Sequence, residues 1–231
     1  MQAMQNNANE PMTETPATAV STEPTQKQHA PRQVNPVLEK LFELHPELFG
    51  TKFLPLKLGI FHDLLARHPD AFKKDELKLA MGQHARSTRY LECVAAGLAR
   101  HDLDGVAVEP VAPEHVHHAI LEVFRRRQAR SKDDLRPRLT VLLKQAIENS
   151  GLALDDYAAL VRVQDEATNA LLDDAMAELK AEAAKREALM VTFTASGKTE
   201  TQFADMYGMD LKLVNRVLAR VRQELVAKTD A

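Results

Sequence analysis

Residues 53–67 read Phe-Leu-Pro-Leu-Lys-Leu-Gly-Ile-Phe-His-Asp-Leu-Leu-Ala-Arg. Pro55 stands where a helix can begin, because its fixed φ suits the first turn and its missing N–H would have no intrahelical partner there. Apolar residues then recur at helical spacing until His68-Pro69 closes the run, and Leu56, Ile60, Phe61 and Leu64 are predicted to face a core. Gly59 allows a neighbouring helix to approach closely.

The same periodicity extends in both directions. Upstream, Leu38, Leu41 and Phe42 predict one face of a short helix ended by His45-Pro46. Downstream, a helix is predicted over Lys74–Ala85, with Leu77, Ala80 and Met81 inward and Lys78 outward. Another is predicted from Ser87 to Ala99, with Leu91, Val94 and Leu98 inward. Within Arg100–Val108, Asp104-Gly105 lies between short apolar segments, the signal of a hairpin with two very short strands. Asp102, Asp104 and Gly105 are then turn residues rather than acid–base catalysts. Helical spacing returns from Pro113 to Arg130, through His115, Ala119, Leu121 and Phe124, and ends in Arg125-Arg126-Arg127. Residues 36–130 thus read as one mainly α domain with a short β-hairpin.

Residues 131–231 predict a second helical region. A helix over Leu135–Ile147 is followed by Leu154 to about Leu189, an Ala-, Glu- and Lys-rich stretch read as one long helix suited to packing on a partner. A helix over Glu200–Tyr207, a turn at Gly208-Met209-Asp210 and a helix over Leu211–Leu225 complete a helix-turn-helix-like unit, with Asp210 as N-cap. Residues 1–35 are rich in Gln, Asn, Thr, Pro, Ala and Glu and have no periodic apolar positions, which predicts a disordered tail.

Composition bounds the function. The chain has 231 residues, 45% of them hydrophobic, so it can bury a core, and with no Trp and 5% aromatics it favours helices. Its 30 basic and 33 acidic residues give a net charge of -3, so any nucleic-acid site must be a local patch. Cys93 is alone and cannot form an intramolecular disulfide; its neighbours Val94, Ala95 and Ala96 mark it as a small core residue in a reducing compartment. There is no signal-peptide pattern and no bilayer-length apolar run, so a cytoplasmic protein without a membrane partner is expected. His115, His117 and His118 lack the Cys or Glu-His partners that would complete a metal site. With no Gly-rich phosphate loop and no nucleophile motif, neither a cofactor nor an enzymatic activity is expected.

Several blocks, taken together, carry a resemblance. They are Pro55-Leu56-Lys57-Leu58-Gly59-Ile60-Phe61, Asp63-Leu64, Ser87, Arg89-Tyr90-Leu91, Gly97, Arg100 and Asp102-Leu103-Asp104-Gly105. In order and spacing they resemble the ProQ/FinO family of bacterial RNA chaperones, over about Val37 to Ile120. The resemblance implies a small helical domain with a short hairpin. It also implies structured RNA as partner, namely small RNAs and mRNA 3′ ends in which a hairpin adjoins a single-stranded 3′ end, and a post-transcriptional regulatory role.

The physics of the site fits that ligand. Lys57, Lys74, Lys78, Arg86, Arg89 and Arg100 are candidate phosphate contacts, provided that Asp63, Asp75 and Glu76 point elsewhere. Tyr90 offers a ring for an unpaired base and a hydroxyl for sugar or phosphate, and it equally suits a core position with a wet hydroxyl. Ser87 and Thr88 open the Tyr90 helix, whose free N–H groups can receive a phosphate. Gly82 and Thr88 stand where better-known members carry a basic and an aromatic residue. Two other readings attach to the C-terminal region. Lys212, Asn215, Arg216, Arg220 and Arg222 on the last helix suit DNA, and the Ala-rich helix around Asp165–Leu189 suits self-association.

Overall fold

The computed structural model describes residues 35–229, with side chains through Val226. The tail predicted for residues 1–35 lies outside them except for Asn35, whose side chain accepts the Val37 N–H at 3.0 Å and caps the first helix.

In chain order the elements are α1 (Pro36–Leu44), α2 (Pro46–Phe49), α3 (Ile60–Arg67), α4 (Lys74–Ala85), α5 (Thr88–Ala95), β1 (Arg100–His101), β2 (Ala107–Glu109) and α6 (Pro113–Gln128). There follow α7 (Arg136–Ser150), α8 (Leu154–Val161), α9 (Glu166–Ser196), α10 (Glu200–Tyr207) and α11 (Leu211–Thr229). The expected mainly helical fold with a short hairpin is what forms: β1 and β2 pair antiparallel, Arg100 opposite Glu109.

Three sequence expectations are corrected. The helix read from Pro55 starts at Ile60, because Leu56 instead forms a parallel bridge with His101. His101 N–H donates to the Pro55 carbonyl at 2.7 Å and Lys57 N–H to the His101 carbonyl at 2.8 Å. Gly59, at φ +81°, then turns this extended piece into α3, a conformation that costs a residue with a Cβ. Next, the stretch from Leu154 to Leu189 is two helices. The Asn169 side chain bonds both N–H and carbonyl of Val163 and so replaces the helical hydrogen bonds across the break. Finally, Phe42 and Leu98 face outward, at 47% and 42% exposure. Leu98 lies beyond the end of α5, which stops at Ala95, so helical spacing no longer controls its direction.

The core is divided into clusters that follow one another along the chain. Leu41, Leu48, Leu56, Ile60, Leu64 and Leu77 gather α1 to α4 around Tyr90 and Cys93 of α5. Ile120 and Leu121 of α6 pack on Leu139 and Leu143 of α7 and on Ala175 of α9. Several apolar positions of α9 pack within the chain: Leu172, Met176 and Leu179 meet Tyr157 and Val161 of α8, whereas Val191 is exposed. Farther along, Leu189, Met190 and Phe193 meet Phe203, Val214 and Leu218 of α10 and α11. Cys93 is a buried core residue, and burial pushes its thiol up to about 12. No helix among the described residues is long and apolar enough to cross a membrane.

Candidate RNA-binding cleft

An open cleft of about 500 Å³ lies where the end of α4, the start of α5, β1 and one face of α6 meet. Three of the residues singled out from the sequence line it: Arg86, Tyr90 and Arg100. The opposite wall comes from α6, through His115, His118, Glu122 and Arg126.

Arg100 and Arg126 are held by different local devices. The Arg100 side chain is only 12% exposed. Its Nη1 donates to the Leu56 carbonyl at 2.9 Å and its Nη2 to His115 Nδ1 at 3.3 Å. Arginine only donates, so Nδ1 accepts and the His115 proton sits on Nε2. Arg126 donates from Nη1 to the Arg86 carbonyl at 2.8 Å and to Thr88 Oγ1 at 3.2 Å, tying α6 to the α4–α5 turn. Its Nε reaches Glu122 at 2.8 Å. Arg86 stays exposed at the rim. The lining thus carries three guanidinium groups and one carboxylate, with Glu109 3.9 Å from Arg100 on its other side, which leaves Arg86 as the cation without a carboxylate partner among the described residues.

Tyr90 is a core residue that also borders the cleft. It is 9% exposed, its ring lies 5.0 Å from that of His84, and its hydroxyl accepts the Leu56 N–H at 3.1 Å. It nevertheless forms part of the cleft wall, with a hydroxyl proton still free to be donated. Burial pushes its ionisation above the usual phenol range. His84, enclosed by Phe49, Phe53 and Tyr90, is pushed down to about 4, first by burial and then by the Arg89 charge. Ser87 caps α5, its Oγ accepting the Tyr90 N–H at 3.2 Å, and the positive end of that helix lies at the edge of the cleft.

The other predicted positions lie elsewhere. Lys57 lines a separate recess and pairs with Asp63 at 2.9 Å, so Asp63 does not point away as expected; that bond holds the Lys57 ammonium above its ordinary range. Arg89 is a strut: its guanidinium sits 4.4 Å from the Phe53 ring centre and donates to the carbonyls of Gly50 and Thr51. Lys74 and Lys78 are exposed on α4 and do not line the cleft.

His115, His118, Glu122 and Arg126 were not among the predicted site residues, yet their spacing of three and four marks one stripe of a helix. His117 points the other way. It is buried with Nδ1 3.1 Å from the Tyr157 hydroxyl, and burial brings it down to about 4. Among the described residues no group of three or more His, Cys, Asp or Glu gathers to hold a metal.

Comparison with known proteins agrees with this segment. Residues 31–136 match the ProQ/FINO family, a little under half of the chain. The RNA chaperone ProQ of Shewanella pealeana is 43% identical over 91 residues, which is 37% of this chain and 42% of that protein. The RNA chaperone ProQ of Idiomarina loihiensis is 42% identical over 87 residues, again 42% of its length. The matches therefore span less than half of these relatives. A solution structure of a ProQ homologue from Legionella pneumophila has 29% identity over 49% of this chain and 98% of its own, at a TM-score of 0.36. A crystal structure of a FinO-like RNA chaperone from Neisseria meningitidis has 29% identity over 36% of this chain and 85% of its own, at 0.33.

Proposed function

We propose that this chain, whose residues 31–136 match the ProQ/FINO family, is an RNA-binding protein that acts as an RNA chaperone and post-transcriptional regulator. The observation that carries the reading is the convergence of Arg86, Arg100 and Arg126 with Tyr90 on one open cleft beside the N-terminus of α5. Guanidinium groups take phosphate oxygens in a forked geometry, and an aromatic ring takes the face of an unpaired base. The cleft therefore suits the single-stranded 3′ end of a hairpin RNA, with the duplex backbone lying along the basic residues outside it. In this reading the protein acts by binding RNA and not as an enzyme. Its partners are cytoplasmic small RNAs and mRNA 3′ ends.

The test is a titration of the full chain with a labelled hairpin carrying a single-stranded 3′ tail, beside the same hairpin with its end paired. Tighter binding of the tailed RNA, weakened by Arg86→Ala, supports the assignment. Equal affinity for both RNAs, unchanged in that variant, removes the cleft from the binding site.

A further inference from the structure

We infer that α10 and α11 form a second nucleic-acid site, a helix-turn-helix whose α11 enters the major groove of B-form DNA. The two helices are joined by the three residues Gly208-Met209-Asp210, the connection length of that motif. Gly208 takes φ +62° and ends α10, and Asp210 Oδ1 accepts the Leu213 N–H at 2.9 Å to start α11. Phe203 and Ala204 of α10 pack on Val214 and Leu218 of α11, and Phe193 of α9 supplies the third helix of the unit.

That packing fixes which side of α11 is outward. Val214, Leu218 and Val221 are buried, so Lys212 and Arg216, one turn apart, stand on the opposite face. Lys212, Arg216 and Lys198, just before α10, are exposed and make no ion pair among the described residues. The nearby carboxylates are mostly engaged: Glu200 by Arg222 at 3.1 Å, Glu224 by Arg186 and Arg220, and Asp210 by its capping bond. Asp205 on α10 is exposed. Arg220 also reaches Glu148 of α7 at 2.6 Å, so of the basic residues on α11 it and Arg222 are fasteners rather than free contacts. Asn215 is exposed on the flank of α11, where its amide nitrogen donates to Glu200 at 3.0 Å, so Lys212 and Arg216 are the side chains that face outward without such a bond.

The choice of DNA over duplex RNA follows from groove dimensions. A helix with side chains is about 10–12 Å across and enters the roughly 12 Å major groove of B-DNA, whereas the A-form major groove is too narrow.

The experiment uses the full chain with a mixed-sequence DNA duplex of about 30 base pairs and an RNA duplex of the same sequence, titrated at about 50 and 200 mM salt. The expected result is a shift with DNA that weakens with salt, exceeding that with duplex RNA. A Lys212→Ala/Arg216→Ala variant should lower the salt slope for DNA by about two units and leave binding of the tailed hairpin RNA unchanged. Both substitutions are on the solvent face of a helix, and circular dichroism confirms that the variant folds. DNA binding that is absent, no stronger than for duplex RNA, or indifferent to the double variant overturns the inference. So does concentration-dependent self-association abolished by the same variant without any DNA shift.

Discussion

Arg100 Nη2 lies 3.3 Å from His115 Nδ1, joining the two-stranded hairpin to the first turn of α6 across the base of the cleft. The same guanidinium holds the Leu56 carbonyl, so one side chain positions three segments and contributes charge.

Arg100→Ala should therefore have two separable effects. Loss of one phosphate contact lowers the salt slope of RNA binding by about one unit and weakens tailed and blocked RNAs alike. Loss of the Leu56 bond lowers stability by about 1–3 kcal/mol. Titrations at several salt concentrations and a thermal melt measure both; an unchanged slope in a folded variant would separate Arg100 from the RNA site.

Tyr90 can be divided by chemistry. Tyr90→Phe removes the acceptor of the buried Leu56 N–H and should cost about 1–3 kcal/mol of stability while keeping the ring and most of the RNA affinity. Tyr90→Ala should in addition cost about 1–3 kcal/mol in binding a tailed RNA, with little salt dependence. Equal RNA affinity of the two folded variants would exclude stacking on this ring.

Acid should destabilise the fold before most carboxylates titrate. His84 and His117 are held at about 4 in the fold, against about 6.5 in the unfolded chain. Below pH 6.5 the unfolded chain therefore takes up protons that the fold refuses. The stabilisation from each neutral ring is complete above 6.5 and is lost as pH falls towards 4, by about 3 kcal/mol per histidine. His84→Phe keeps the aromatic contacts and should flatten the loss by about one histidine's share. Denaturant melts of wild type and variant between pH 7 and 4 measure the difference; parallel curves would show that His84 takes no part.

The RNA-binding unit should need α7. The reading of residues 36–130 as a domain leaves Ile120 and Leu121 on one side of a boundary and Leu139 and Leu143 on the other, yet the four pack together. We expect a fragment of residues 35–150 to be more stable than one of residues 35–130 by about 2–5 kcal/mol, with similar RNA affinity once both are folded. Equal melting temperatures would place the boundary at residue 130 after all.

Helix identity was legible in the sequence wherever local forces decide it. The bounds Lys74–Ala85 and Glu200–Tyr207 follow from apolar spacing of three and four, with the turn glycine Gly208 closing the second, and the hairpin follows from Asp104-Gly105. The family resemblance likewise rests on short contiguous blocks around Pro55, Tyr90 and Asp104. Partnerships between distant segments were not legible. Leu56 leaves the helical pattern because His101, 45 positions later in the chain, offers it a strand partner. Arg89 and Lys57 looked like free cations, and only the fold brought the Gly50 and Thr51 carbonyls to one and set Asp63 at the other in bonding geometry. Arg126 became a cleft residue because α6 crosses α5 in space. A side chain's local sequence sets the face of the helix on which it stands, but whether its charge is free is decided by hydrogen-bonding groups that folding alone brings within 3–4 Å.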